Sequence, residues 1–404
     1  ADPRAELLRL EAAALGGGAK AIADLHRWID RRLSEGGVLF ADPADTFAVL
    51  PALARLQVAL GDPKIAAALD KVLGAALRLG RGRDLSPGCV KLLRALLAAN
   101  RNKGWRIPAQ RGYGIPAAVA RTKAQTPGFQ CEDAEVATLA SDWTPAAARM
   151  AFDFAPAMTP LQLSFGAKVA LDGPWNARVR IDGAELELKS GWESVCWAAD
   201  EDCEYLELAA SLGGGRWLER QLFIGRKLPI ALLADTVRGK KANWELEWRI
   251  PAPGLGSLRG SLQSRWQRTG IPGVALAPLH LPSEPLAMGD GSLALRDGEL
   301  VASARSAGPS CILPLAFIWN QGNGELAPWR QLAITWDRVP MPMSEGFAAR
   351  VPVGDRSFVF FRTPLKGRRT AFLGYQSFDE CTIGEFTRKG EVVPWMRLEP
   401  PGVS

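Results

Sequence analysis

Histidine and tyrosine are scarce in this chain of 404 residues, which contains two of the first and three of the second. These side chains are common general acids and bases near neutral pH, so their scarcity leaves few candidates for proton-transfer catalysis. The candidates are His26, His280, Tyr113, Tyr205 and Tyr375.

Several recognisable sites are also missing from the sequence. No apolar run reaches eighteen residues, so the sequence predicts no membrane-spanning helix. "LGGGAK" lacks both a preceding strand and the Ser or Thr of a phosphate-binding loop, and no nucleophile elbow occurs. "ADEDCE" does not match a calcium-binding EF-hand loop. We therefore expect neither a cofactor nor a metal site.

The six cysteines are few for a disulfide-built scaffold and show no zinc-binding spacing. Only Cys196 and Cys203 are close in sequence, and the segments around them, "ESVCW" and "CEYLEL", alternate as paired strands do. Between them lies an acidic loop. The pattern predicts a hairpin and is consistent with a disulfide at its base, while two free, half-buried thiols are the alternative.

The chain begins "ADPRAELL", without an initiator Met or an apolar leader segment. This start belongs either to a shortened chain or to a mature protein whose leader has been removed. We take the second interpretation, which predicts a secreted, periplasmic or cell-surface protein.

The period of the apolar residues divides the chain into three parts. Residues 1–100 repeat at helical spacing, with Gly turns and Asp-Pro helix starts between about five short helices stacked as hairpins. Residues 101–133 form a basic, Gly/Pro-rich linker. Residues 134–404 alternate with a period of two, as antiparallel strands do. The predicted fold class is α+β, with a short helical-hairpin segment followed by a large antiparallel β-sandwich.

Tryptophan is abundant in the β region and is expected mainly in its core or in cross-strand pairs. A sugar-stacking role is the alternative for any Trp that is exposed. The residues concerned are Trp175, Trp192, Trp197, Trp217, Trp244 and Trp248.

The strand with the acidic turn, together with "RWLERQLFI" and "LLADTV", resembles the β-sandwich part of the heparinase II/III-like proteins. In those proteins a helical toroid precedes a sheet domain, and the resemblance covers roughly residues 134–400. It implies the fold more strongly than the activity, because the matching residues belong to the strand framework.

Family members that cleave acidic polysaccharides use Tyr and His as acid and base, with Asn or Arg neutralising the uronate carboxylate. Here His26 lies in a helical pattern, and His280 lies in "APLHLP". Tyr205 and Tyr375 alternate within strands, which leaves Tyr113 in "QRGYGIP" as the one loop position from which a phenol could reach a substrate. The helical segment is also short for a full toroid. We expect catalysis to be absent or residual.

Positive charge is concentrated in one segment. Residues 76–124 contain eleven Lys and Arg against one acid, Asp84, whereas the whole chain has a net charge of +6. Clustered cations with interleaved aromatic rings suit binding to carboxylates or sulfates. A solvated helix face and a linker that pairs with acids of the β region are the alternative. The predicted binding residues are Arg101, Lys103, Trp105, Arg106, Arg111, Tyr113, Arg121 and Lys123.

Two function classes remain open at this stage. The first is a non-catalytic exported or surface protein that binds an acidic polysaccharide or an acidic protein partner, or serves as a structural subunit. The second is a polysaccharide lyase acting on uronate-containing glycans. Nucleic acid is not an expected partner, because no DNA- or RNA-binding motif accompanies the charge.

Overall fold

The computed structural model describes residues 2–35, 37–38, 46–79, 105, 126–155, 158–260, 265–284, 289–322 and 326–399. The chain divides into two compact units. The first contains residues 1–147 and 151–155, and the second contains residues 148–150 and 156–404.

Four helices occur in the described part of the first unit, and their apolar faces form one core. Trp28, Leu53 and Leu73 are completely buried in it. The helices are α1 (Pro3–Leu15), α2 (Ala19–Arg32), α3 (Thr46–Leu60) and α4 (Pro63–Leu79).

Two of these helices begin at Asp-Pro, and the start of α4 is the one predicted from "LGDPK". The other predicted Asp-Pro start, in "ADPAD", lies outside the described residues. Asp62 precedes α4, and its Oδ1 accepts hydrogen bonds from the amides of Lys64 (2.8 Å) and Ile65 (3.0 Å). Asp2 caps α1 in the same way through the amide of Arg4. Proline suits the first helical turn because its missing N–H has no partner there in any case.

The rest of the described chain is almost entirely antiparallel strand, which makes the fold α+β and mostly β. The strands are β1 (Phe129–Cys131), β2 (Val136–Ala140), β3 (Ala148–Asp153), β4 (Pro160–Phe165), β5 (Lys168–Pro174), β6 (Asn176–Ile181), β7 (Ala184–Leu186), β8 (Glu193–Ala199), β9 (Cys203–Gly213), β10 (Arg216–Gly225), β11 (Ile230–Pro251), β12 (Leu258–Gly260), β13 (Gln267–Thr269), β14 (Ala275–Pro278), β15 (Gly291–Arg296), β16 (Glu299–Ile318), β17 (Arg330–Gln331), β18 (Thr335–Trp336), β19 (Val339–Pro340), β20 (Phe347–Val353), β21 (Arg356–Arg362), β22 (Thr370–Phe372), β23 (Tyr375–Ser377), β24 (Cys381–Phe386) and β25 (Val392–Leu398).

The largest sheet has eleven strands and follows the order β12-β13-β14-β16-β11-β10-β9-β8, with β6, β7 and β15 attached to it. A five-stranded sheet, β17-β20-β21-β24-β25, packs on one of its faces. Phe223 and Phe358 meet between the two sheets with their ring centroids 5.3 Å apart. On the other face, Phe165 of β4 contacts Phe317 and Trp319. The second unit is therefore built of sheets packed face to face.

The predicted core role of tryptophan is confirmed at four positions. Each of these side chains is at most 5% exposed, and the rings of Trp175 and Trp248 lie 5.3 Å apart. Trp197 and Trp217 are partly exposed. The four buried residues are Trp175, Trp192, Trp244 and Trp248.

The hairpin predicted around the two nearby cysteines is present as β8 and β9, but the disulfide prediction is wrong. Cys196 and Cys203 are both free thiols. Cys196 lies opposite Glu207 after a bulge in β8, so Cys203 is four positions further along the partner strand. At about 3.3 Å per residue, that offset is about 13 Å, beyond the reach of a disulfide.

Candidate functional site

Arg220 and Asp235 form a completely buried ion pair in the largest sheet. They lie directly opposite each other on β10 and β11. Arg220 donates from Nε to Oδ1 (2.9 Å) and from Nη2 to Oδ2 (2.8 Å) of Asp235. Burial raises the pKa of Asp235, and Arg220 acts against that shift. The paired donors and acceptors match in geometry, which offsets part of the cost of desolvating two charges.

The other terminal nitrogen of Arg220 is hydrogen-bonded as well. Its Nη1 donates to the hydroxyl of Thr159 and to the carbonyl of Trp175 (3.1 Å). Its guanidinium lies 3.9 Å from the ring centroid of Trp175 and 4.8 Å from that of Trp192. Because this guanidinium is buried and hydrogen-bonded through all three of its nitrogens, the cluster stabilises the pairing of β10 with β11 and is not accessible to a ligand.

A second buried charge network lies between the largest sheet and the five-stranded sheet. Arg362 of β21 donates from Nη2 to Oε1 of Glu207 (2.7 Å) and also to Glu219. Glu219 accepts a further hydrogen bond from Arg238, whose side chain is 27% exposed. Two carboxylates and two guanidinium groups balance the charge. Although burial raises the pKa of Glu219, Arg362 and Arg238 outweigh it and hold that pKa below the ordinary value.

Tyr205 extends this network into the core. Its hydroxyl donates to Glu207 and accepts a hydrogen bond from Gln221 Nε2 (2.8 Å), which also lies 3.7 Å from the sulfur of Cys381. Burial, followed by the charge of Glu207, raises the pKa of Tyr205 well above its ordinary value of 10.0. A phenol in that environment keeps its proton near neutral pH and does not serve as a general base.

Sequence reasoning did not single out these buried charges. The available signal was a lone charged residue inside an otherwise apolar strand, such as Glu207 in "YLELAA" or Asp235 in "LLADTV". Such a residue predicts a buried partner of opposite charge. The partner's identity depends on strand register and sheet packing.

No protein-family model and no curated protein matches this sequence. Solved structures do match it. A heparinase III gene product has a TM-score of 0.60 and 12% identity, covering 89% of this chain and 65% of that one. A mutant of the heparan sulfate lyase HepC from Pedobacter heparinus has a TM-score of 0.58 and 8% identity, covering 93% and 65% of the two chains. Another heparinase III has a TM-score of 0.56 and 10% identity, covering 89% and 67%.

The fold is heparinase III-like. The resemblance noted in the strand segments is therefore confirmed at the level of the fold. This chain spans about 65% of the length of the first of these structures. Likeness at 8–12% identity establishes the architecture and leaves the chemistry to be argued from the residues themselves.

Within this heparinase III-like fold, the described histidines have structural roles. His26 of α2 contacts Asp62 through Nε2 (3.0 Å), and the same carboxylate caps α4. His280 lies in the second unit, where Nε2 is 3.2 Å from the carbonyl oxygen of Ser292. Burial lowers the pKa of His280 to about 4, so its ring is neutral at physiological pH.

The described tyrosines do not join either histidine. Tyr205 belongs to the buried network, and Tyr375 packs its ring against Phe372 at 5.5 Å between centroids. Burial raises the pKa of Tyr375 as well. Tyr113 lies outside the described residues. Among those that are described, the structure therefore brings no Tyr and His together as an acid–base pair.

Trp105 is part of the helical core, which corrects its prediction as a sugar-stacking residue. It is 6% exposed, and its Nε1 donates to Asp70 (3.2 Å). The guanidinium of Arg78 lies 4.7 Å from its ring centroid. The indole packs so closely on α4 that neither face is open to a sugar. The other predicted binding residues, Arg101, Lys103, Arg106, Arg111, Tyr113, Arg121 and Lys123, lie outside the described residues.

In the described part of the chain, no helix is long and apolar enough to cross a membrane. No group of three or more His, Cys, Asp or Glu side chains in the described ranges is arranged to hold a metal ion.

Proposed function

We propose that this chain is a non-catalytic protein that binds an acidic polysaccharide and acts outside the cytoplasm. The observation that carries the proposal is the use of the described His and Tyr side chains as structural contacts. The hydroxyl of Tyr205 is hydrogen-bonded to Glu207, and His26 contacts Asp62, which caps α4. His280 is buried and neutral. These groups are engaged in packing and do not form a proton-transfer site.

The binding residues that we propose are the cations of residues 101–123. Their support is the sequence charge, because this stretch belongs to the segment with eleven cations and one acid. Clustered like charges repel one another and are stabilised by an anionic ligand or an acidic protein partner. Arginine predominates there, which favours two-pronged contacts with carboxylate or sulfate groups.

The proposal predicts retention on heparin or alginate that weakens steeply with salt. Arg101→Glu/Arg106→Glu/Arg111→Glu should elute at clearly lower ionic strength than the wild type, because exposed charge interactions are screened within about 8–10 Å at physiological salt. The matched control is Arg9→Glu/Arg259→Glu/Arg296→Glu, which changes the net charge equally at exposed positions. Equal elution of the two triple variants would contradict the proposal.

A polysaccharide lyase acting on uronate-containing glycans is the second candidate, and the heparinase III-like fold favours it. Cleavage by elimination would generate unsaturated uronates, whose ultraviolet absorbance rises during the reaction. We expect no such rise with a panel of acidic glycans. Turnover that is lost in Tyr113→Phe would overturn the non-catalytic proposal and establish the lyase.

A further inference from the structure

The small four-stranded sheet of the second unit, β19-β18-β22-β23, exposes an aromatic ring beside several arginines. Trp336 is 38% exposed and Val339 63% exposed. The sheet packs on the five-stranded sheet, because Phe372 stacks on Phe361 of β21 with ring centroids 4.7 Å apart. This packing holds the sheet, and with it the exposed residues, in place. We call Trp336, Arg338, Val339, Arg368 and Arg369 the Trp336 surface.

Arg368 is held in place by the indole of Trp336. Its guanidinium lies 4.0 Å from the ring centroid, and its Nη1 lies 3.3 Å from Oε2 of Glu345. The side chain remains one-third exposed. A stacked guanidinium keeps its N–H edge available, so Arg368 is oriented for a planar anionic group with little further loss of freedom.

Two further cations of the surface are not neutralised by contact with a carboxylate. Arg369 donates to the amide oxygen of Gln376, which carries no charge. Arg338 is exposed and makes no hydrogen bond or ion pair with any other residue in the described ranges. Within that part of the chain, Glu345 contacts Arg368 alone among the three, and no carboxylate forms an ion pair with Arg338 or Arg369. Counting Glu345 and Asp337, the acid that precedes Arg338 in its turn, the three arginines leave one net positive charge on this surface.

The position of Arg338 has a conformational cost. Asp337 and Arg338 form the two-residue turn between β18 and β19, with φ angles of 48° and 66°. Such turns favour Asn-Gly, because glycine adopts positive φ without steric penalty. An arginine in this place gives up that advantage and puts an exposed cation two residues after Trp336.

We propose that the Trp336 surface is a second contact site for an acidic polysaccharide. The guanidinium groups of Arg338, Arg368 and Arg369 bind carboxylate or sulfate groups, and the apolar faces of Trp336 and Val339 pack on a sugar ring. The excess charge and the small apolar area fit this ligand better than a stable protein partner, which buries roughly 800 Å² on each side. The inference rests on the proposed function for its ligand class but uses different residues.

The experiment is calorimetric titration of the full chain with size-defined heparin and alginate oligosaccharides. Alginate offers carboxylates alone, whereas heparin adds sulfates, so the two arms identify the anionic group. Arg338→Glu/Arg369→Glu should weaken binding at least tenfold, about 1.4 kcal/mol. Trp336→Ala should weaken it by a similar factor. The matched control, Arg259→Glu/Arg296→Glu, has the same charge change and should alter Kd less than twofold.

Folding of each variant is checked by circular dichroism. If Trp336→Ala unfolds, Trp336→Phe, which keeps an aromatic ring, takes its place. The affinity of Trp336→Phe should lie between that of the wild type and that of Arg338→Glu/Arg369→Glu. Binding by Arg338→Glu/Arg369→Glu equal to that of the control would overturn the inference. If only the 101–123 variant loses binding, this second site is wrong and the proposed function stands. If only the Trp336 surface variants lose binding, the assignment to residues 101–123 is wrong. No saturable binding by the wild type would refute both.

Discussion

Gly74 and Trp105 lie so close together in the helical core that a Cβ atom on Gly74 would come within 2.5 Å of the indole ring. Alanine is intrinsically better than glycine inside a helix by about 1 kcal/mol. Overlap with a buried ring costs about 1–3 kcal/mol or more. The packing term therefore outweighs helix propensity at this position.

We predict that Gly74→Ala destabilises the helical unit by up to about 2 kcal/mol, as the net of those two effects. Urea unfolding followed by the helical circular dichroism signal measures it. In a Trp105→Ala background the same substitution should become neutral or stabilising. Gly191→Ala is the control, because a Cβ there meets no atom within 4 Å. Destabilisation that persists without the indole would show that Trp105 is not the obstacle.

Asp235→Asn should destabilise the β-rich unit by about 3–5 kcal/mol, because it leaves the buried Arg220 charge without its counter-ion. Chemical denaturation of the purified variant measures the change. Asp355→Asn is the matched control, since Asp355 pairs with Arg388 at positions 70% and 77% exposed. The control should change stability by less than about 1 kcal/mol. Similar losses in both variants would refute the distinction between buried and exposed pairs.

His280 should make the β-rich unit less stable as the pH falls from 6.5 to about 4. In this window the unfolded chain takes up a proton that the buried, folded ring does not, so acid favours unfolding. The full effect is about 3 kcal/mol. His280→Gln removes the titrating group and should flatten the pH dependence of the unfolding free energy in this range. The control is His26→Gln, in the other unit, which should leave the pH dependence of the β-rich unit's unfolding free energy unchanged. The prediction is wrong if His280→Gln also leaves it unchanged.

Cys196 and Cys203 should remain thiols under oxidising conditions. Alkylation after denaturation without reductant, followed by peptide mapping, should label both residues completely. The physical reason is the register of the hairpin, which places Cys196 beside Glu207. A peptide that joins the two cysteines would show that the hairpin slips to another register in solution.

Much of the architecture follows from patterns that are local in sequence. Asp62 and Pro63 predicted the start of α4 because a helix cap depends on residues two or three positions apart. The change from helical to alternating period predicted the helices and strands for the same reason. The hairpin of β8 and β9 was likewise predicted from the alternation on each side of its acidic turn.

The sites were harder to predict because they depend on contacts between distant residues. Trp105 was interpreted as a binding residue from its cationic neighbours in sequence, yet it is buried beside Asp70 of α4. Trp336 and Arg368 are separated by thirty-one residues and meet because β18 pairs with β22, which begins two residues after Arg368. Sequence proximity described the charge of each segment but not which side chains share a surface.

The sequence by itself determined the order of helical and strand segments and the resemblance of the strand framework to heparinase II/III-like proteins, because periodicity and turn chemistry act over a few residues. Tertiary structure alone decided that Arg220 pairs with Asp235, that Arg362 neutralises Glu207 and Glu219, and that the two cysteines lie too far apart to join. Register sets which side chains face one another, and removal from water sets the pKa of His280 and Tyr205. Both properties arise only when strands distant in sequence pack together.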